Sequence, residues 1–260
     1  QKSQQSTTST IRLAAQLSLQ DIEELFSDQF TSEEILDGEQ RLQVRHQTKL
    51  GALVLSEKRK PASKDDQVRY VLQSVKENGL DLLKPSESDQ NLWSKLQLAH
   101  SLWPEMIPDF SESALQLDVE NWLAPYLSTS TKVDVSQALL SRVDWNLQNQ
   151  IKEWLPDELP LPSGRNVKID YTESTPVVRC KLQECFGLAH SPTLAQGKIT
   201  VQLHLLSPAQ RPLAQTTDLA FFWKEVYPEV RKENRGRYAK HPWPEDPLTA
   251  VASIKTKKRM

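Results

Sequence analysis

Between Arg235 and His241 the chain reads RGRYAKH, with three cations, two ring side chains and no acid. Lys and Arg make salt-dependent contacts to phosphate, and Tyr and His offer flat faces on which bases stack. The chemistry this pattern suits is the holding of a polyanion, most simply nucleic acid. More cations precede it at Arg211, Lys224, Arg231 and Lys232. With Arg235, Arg237, Tyr238, Lys240 and His241 they make up the candidate nucleic-acid-binding set. The charge distribution points the same way. Residues 221–260 hold ten Lys or Arg against five Asp or Glu, whereas the whole chain carries a formal net charge of −2. A near-neutral chain therefore ends in a basic, aromatic-rich segment.

A structural role competes with this reading. Lys224, Arg231, Lys232 and Arg235 alternate with Glu225, Glu229 and Glu233 on one helix, a pattern that often means only ion pairing on a solvated face. The following HPWPEDP holds three prolines and cannot form a regular element, so it reads as a rigid strap. At this level nucleic-acid contact and a structural latch both stand.

Catalytic chemistry finds little footing. There is no phosphate-cradling G-x-x-x-x-G-K-[ST], no D-E-x-H box and no G-x-S-x-G, and the seven glycines are scattered. The two cysteines, Cys180 and Cys185, have no second pair for a four-ligand zinc site, and the five histidines lie far apart in sequence. If 177–186 is one strand, the two thiols point to opposite faces and are simply buried. No cofactor or metal is expected in this chain. No apolar run approaches 18 residues and no leader-like segment opens the chain, so a soluble, cytoplasmic protein without a membrane span is expected. The chain does not begin with Met and reads as a fragment of something longer.

The elements that must position these residues give an α+β class. Residues 1–10 read as a polar linker. Over 11–60 a short helix with Ser18 as cap precedes a small antiparallel meander, with a turn at Asp37-Gly38 and Leu42, Val44, Leu53 and Leu55 alternating with polar residues. Charge and proline at 57–61 suggest a boundary. A helical block follows over 61–158. It includes 65–79 ending at Gly79, a helix capped by Asp89, and single helices over 113–127 and 134–155. Over 159–247 the period changes to two, giving strands at 167–171, 177–186 and 199–206 in an antiparallel unit. Asp218 then caps an amphipathic helix over 219–235, with Leu219, Phe222, Trp223, Val226, Tyr227 and Val230 inward. Residues 248–260 form a basic tail.

The stretch LLSPAQRPLAQTTDLAFFWKEVYPEVRKENRGRYAKHPWPEDP resembles the C-terminal region of the bacterial HrpB-type ATP-dependent RNA helicases of the DEAH-box class. Tyr227, Gly236, Arg237, Tyr238, Lys240, His241, Trp243, Pro244, Asp246 and Pro247 match the family's pattern, and Ala239 stands where the family usually has proline. LPLPSGRNVKIDY and AQGKITVQLHLLSP look like the family's approach to that motif. Residues 33–55 look like its oligonucleotide-binding-fold segment. The resemblance implies a parent with two RecA-like motor domains before Gln1, and these would bind ATP and Mg. It implies RNA or single-stranded nucleic acid and the parent's own motor as partners. Arg211, Arg235, Arg237 and Lys240 match the pattern, yet no catalytic role transfers to them.

Overall fold

The computed structural model describes residues 16–37, 42–127 and 133–253. Residues 1–10 of the expected linker, Gly38 of the expected turn and residues 254–260 of the tail lie outside them. The chain divides into two compact units, Gln1–Val71 and Leu72–Met260.

In the first unit, Ser18 caps α1 (Leu19–Leu25) through a reciprocal box. The Asp21 amide donates to Ser18 Oγ at 3.1 Å, and the Ser18 amide donates to Asp21 Oδ2 at 2.8 Å. Hydrogen bonds from Ser18 hold the Asp21 carboxyl below its usual range. An antiparallel meander follows, formed by β1 (Phe30–Asp37), β2 (Gln43–Leu50) and β3 (Leu53–Pro61) in that spatial order. Asp37 pairs with Gln43. Val44 is buried and Leu55 half-buried, but Leu53 is 66% exposed. The register explains the difference: Leu53 closes the tight β2–β3 turn opposite Leu50, beside a bulge at Thr48/Lys49. Residues 57–61, expected as a boundary, continue β3 to its end.

The helical block is more broken than its periodicity suggests. α2 (Lys64–Asn78) ends at Gly79, whose φ of 90° lies in the region open to glycine. α3 (Glu87–Leu102) is capped by Ser86, not by Asp89. Asp89 instead sits three residues on and accepts from the Ser86 amide at 2.9 Å. The expected helix over 113–127 is three short ones, α4 (Glu112–Leu117), α5 (Val119–Trp122) and α6 (Ala124–Leu127). The expected helix over 134–155 is two, α7 (Val135–Leu140) and α8 (Trp145–Trp154). The interruption has a local cause. Asp144 takes the Leu147 amide at 2.9 Å and starts a new helix. Gln148 Nε2 then donates to the Leu140 and Val143 carbonyls left open where α7 stops.

The C-terminal part is a five-stranded sheet of order β10-β9-β6-β5-β4, formed by β4 (Glu158–Pro160), β5 (Asn166–Asp170), β6 (Val177–Lys181), β9 (Gln202–Leu206) and β10 (Pro212–Thr216). Neighbours run antiparallel except β6 and β9, which are parallel. The β6–β9 crossover carries the two-stranded ribbon β7 (Thr193–Leu194) and β8 (Ile199–Thr200). The expected strand over 199–206 therefore serves two sheets and changes between them at buried Val201.

Two buried polar residues stitch α3 to this sheet. Asn91 Nδ2 donates to the Ile169 carbonyl at 3.0 Å, and its Oδ1 accepts the Tyr171 amide at 2.7 Å, so one side chain pairs with the backbone as a strand would. Lys95 is buried, with its ammonium 2.8 Å from Asp157 Oδ1 and 5.9 Å from the Tyr171 ring centroid. No helix among the described residues is long and apolar enough to cross a membrane.

Candidate nucleic-acid interface

The basic segment sits at the end of a helix whose phase is shifted midway. Asp218 Oδ1 accepts the Phe221 amide at 2.9 Å and opens α9 (Leu219–Phe221). A π-turn over Phe222–Val226 follows, and then α10 (Tyr227–Arg237). A π-turn adds one residue to the turn. The residue stacked under Phe222 is therefore Tyr227 rather than Val226. Phe222, Trp223 and Tyr227 are buried as expected, whereas Val226, expected inward, is 36% exposed. Phe186 completes an aromatic cluster, with ring centroids 6.1 Å from Trp223 and 6.3 Å from Tyr227.

The proline strap is bound back onto this helix. Tyr227 Oη donates to the Pro244 carbonyl at 2.8 Å, and Arg231 Nε donates to the Trp243 carbonyl at 2.9 Å. A second Arg231 nitrogen lies 3.0 Å from Glu245 Oε1. The indole N–H of buried Trp243 reaches the Tyr238 carbonyl at 3.3 Å, and the Gly187 amide donates to the Pro247 carbonyl at 3.0 Å. Burial pushes the Tyr227 phenol upward, against the smaller opposing effect of Arg231, so it remains a neutral donor.

The nine candidate residues separate by environment. Arg231 is half-buried and committed to the strap. Lys224 and Lys232 are exposed and lie beside Glu225 at 3.2 Å and Glu229 at 3.6 Å. Arg211 is exposed in the β9–β10 turn, where its amide and carbonyl are tied to Ser207. No described contact joins Arg211 to the helix end. Arg235, Arg237 and Lys240 are exposed, and no carboxylate among the described residues lies within ion-pair distance of them. The Arg237 guanidinium lies 5.7 Å from the Tyr238 ring centroid. His241 closes the turn by donating its amide to the Tyr238 carbonyl at 2.9 Å. Its ring is half-buried, and burial, followed by nearby Lys181, lowers its pKa. At neutral pH it is a neutral ring and not a fourth cation.

Three features escaped sequence reasoning. Lys181, at the end of β6, approaches His241 from the sheet. Glu184, fully buried, accepts Arg165 in a two-pronged pair at 2.6 and 2.7 Å, together with the Lys181 amide at 2.9 Å. The fork fixes the turn that carries Lys181. Last, the chain leaves β6 at Lys181 and coils through a single turn over Leu182–Cys185. That turn corrects the expectation that the cysteines face apart: their Sγ atoms lie 3.3 Å from one another, both buried and free. The hydrogen bond with Cys180, and then burial, push the Cys185 thiol well up, which leaves it unreactive as a nucleophile.

Comparison with known proteins bears on the whole C-terminal part. Residues 122–247 match the family model HrpB_C, described as ATP-dependent helicase C-terminal. The chain is 37% identical over 204 residues to the ATP-dependent RNA helicase HrpB of Escherichia coli strain K12, covering 75% of this chain and 25% of that protein. Two solved structures share the fold. One is the E. coli DExH-box NTPase HrpB, with a TM-score of 0.73 and 30% identity over 93% of this chain and 31% of that one. The other is the E. coli DEAH/RHA helicase HrpB, with a TM-score of 0.63 and 31% identity over 83% and 29%. The chain thus spans between a quarter and a third of the length of these relatives. Residues 122–247 thus match the helicase C-terminal model, and the chain is similar over most of its length to a C-terminal region of HrpB-type helicases.

Proposed function

We propose that this region holds RNA for an ATP-dependent helicase, with Arg235, Arg237 and Lys240 contacting phosphates and Tyr238 and His241 flanking them. The observation that carries this reading is the difference in commitment along α10 and the turn after it: Arg231 is spent on the strap, while Arg235, Arg237 and Lys240 have no acidic partner among the described residues. Cations left unpaired over the end of α10 and the turn after it are what a polyanion site needs. Lys224 and Lys232, already beside carboxylates, contribute less. ATP and Mg belong on this reading to motor domains outside residues 1–260, and the region works beside that motor in the cytoplasm.

The test is binding of labelled single-stranded RNA across salt concentrations. Three phosphate contacts correspond to about 2 units of slope in log K against log salt for a single strand. The combined variant Arg235→Ala, Arg237→Ala, Lys240→Ala is expected to lose that slope while melting like the parent chain. Absence of any binding at low salt refutes the proposal.

The bonds of the strap favour a second reading, in which the C-terminal unit is a scaffold that docks on the motor without touching RNA. Unchanged RNA binding by the triple variant, with association to the motor domains reduced instead, selects that reading.

A further inference from the structure

The chain has seven tryptophans, and six are used by the fold. The indole N–H groups of Trp93, Trp122, Trp223 and Trp243 donate to the carbonyls of Phe110, Leu115, Leu188 and Tyr238. Trp103 and Trp154 stack on one another with centroids 4.2 Å apart. Trp145 does neither. It is 68% exposed at the first position of α8, and its only ring contact among the described residues is the Lys152 ammonium, 5.8 Å from the centroid.

Its surroundings indicate the partner. At 100° per residue, Asn149 and Lys152 fall about 40° and 20° to either side of Trp145 around α8. The three form one exposed stripe: a stacking ring, an amide that both donates and accepts, and a cation. The acids on this helix flank it: Glu153 lies about 40° beyond Asn149, and Asp144 is spent on the Leu147 amide. The opposite side of α8, through Ile151, is buried, so the stripe is not a displaced piece of core.

We propose that Trp145, Asn149 and Lys152 form a stacking platform for one nucleotide of a single-stranded RNA. The base lies on the indole, its edge faces Asn149, and the adjoining phosphate meets Lys152. This rests on the reading of the region as RNA-binding and gives it a second foothold on a different element.

The experiment follows tryptophan emission while the chain is titrated with a short oligouridylate, which has little structure of its own. Stacking predicts quenching on saturation. Trp145→Ala should lose most of the quench and bind about tenfold more weakly, since a base–aromatic stack is worth about 1–3 kcal/mol. Lys152→Gln should weaken binding less and flatten its salt dependence. The site is exposed, so both variants should melt as the parent does. Equal quench and affinity in Trp145→Ala overturn the platform and leave the ring to a protein partner. Loss of binding in Trp145→Ala without loss in the Arg235/Arg237/Lys240 variant overturns the basic turn and keeps the platform. No binding by the unmodified chain at low salt overturns both.

Discussion

Residues 235–241 and 242–247 are adjacent in sequence and opposite in use. In the strap, Trp243 is buried, the carbonyls of Trp243, Pro244 and Pro247 all accept hydrogen bonds, and Glu245 meets Arg231. In the preceding turn the backbone is tied at Tyr238 and His241, while the cationic ends of Arg235, Arg237 and Lys240 remain without carboxylates. A stretch that reads as one motif therefore divides into two structurally different parts. The strap fixes the geometry, and the turn presents charge from it.

Substitutions should separate the two. The largest effect belongs to the strap: Trp243→Ala removes a buried aromatic and its N–H bond and should cost about 3–5 kcal/mol, visible as a lowered denaturation midpoint. If that variant melts normally, the strap is not what anchors the turn. Tyr227→Phe removes one hydroxyl donor to Pro244 and should cost about 1 kcal/mol by the same measurement, with RNA affinity unchanged. The triple variant of the turn is the mirror image, with stability within about 0.5 kcal/mol of the parent and the salt slope reduced. Equal losses of stability in both segments would erase the distinction between them.

The smallest effect concerns His241. Its pKa in the free chain is lowered by burial and Lys181. A bound phosphate favours the charged ring, so binding raises that pKa and takes up a proton. Affinity should then rise as pH falls from neutral through the bound-state value toward the lower free-state value. His241→Gln should flatten that rise. The same depression acts on folding with the opposite sense. The unfolded ring protonates first, so stability is full above its ordinary pKa and declines as pH drops below it. Measuring binding and melting over the same pH range separates the two contributions.

Local chemistry was legible in the sequence at several positions where one side chain decides the outcome, though at α3 the cap is Ser86 and not Asp89. Ser18 and Asp218 cap their helices, Gly79 ends α2, and Phe222, Trp223 and Tyr227 of the C-terminal helix point inward. What escaped depends on counting residues through a regular period that the chain does not keep. Val226 was placed inside by a spacing that the π-turn breaks. Cys180 and Cys185 were placed on opposite faces by a strand that ends at Lys181. The apolar spacing over 134–155 predicts one helix because it continues through a gap that Asp144 opens. The candidate site was legible as a set of residue types. Which cations are spent was not, because Arg231 finds its partners twelve to fourteen residues later, across a fold that spacing cannot convey.

The π-turn at Phe222–Val226 has a bearing beyond the burial of Tyr227. Each residue in a helix advances the side chains by about 100°. The extra residue therefore acts as an indexing step that sets the compass bearing of everything beyond it, including the basic turn. Wound in ordinary phase, the same residues would put Val226 under Phe222 and swing Arg235 to Lys240 about a quarter-turn around the axis. The composition of the turn would be untouched, and its aim would be gone.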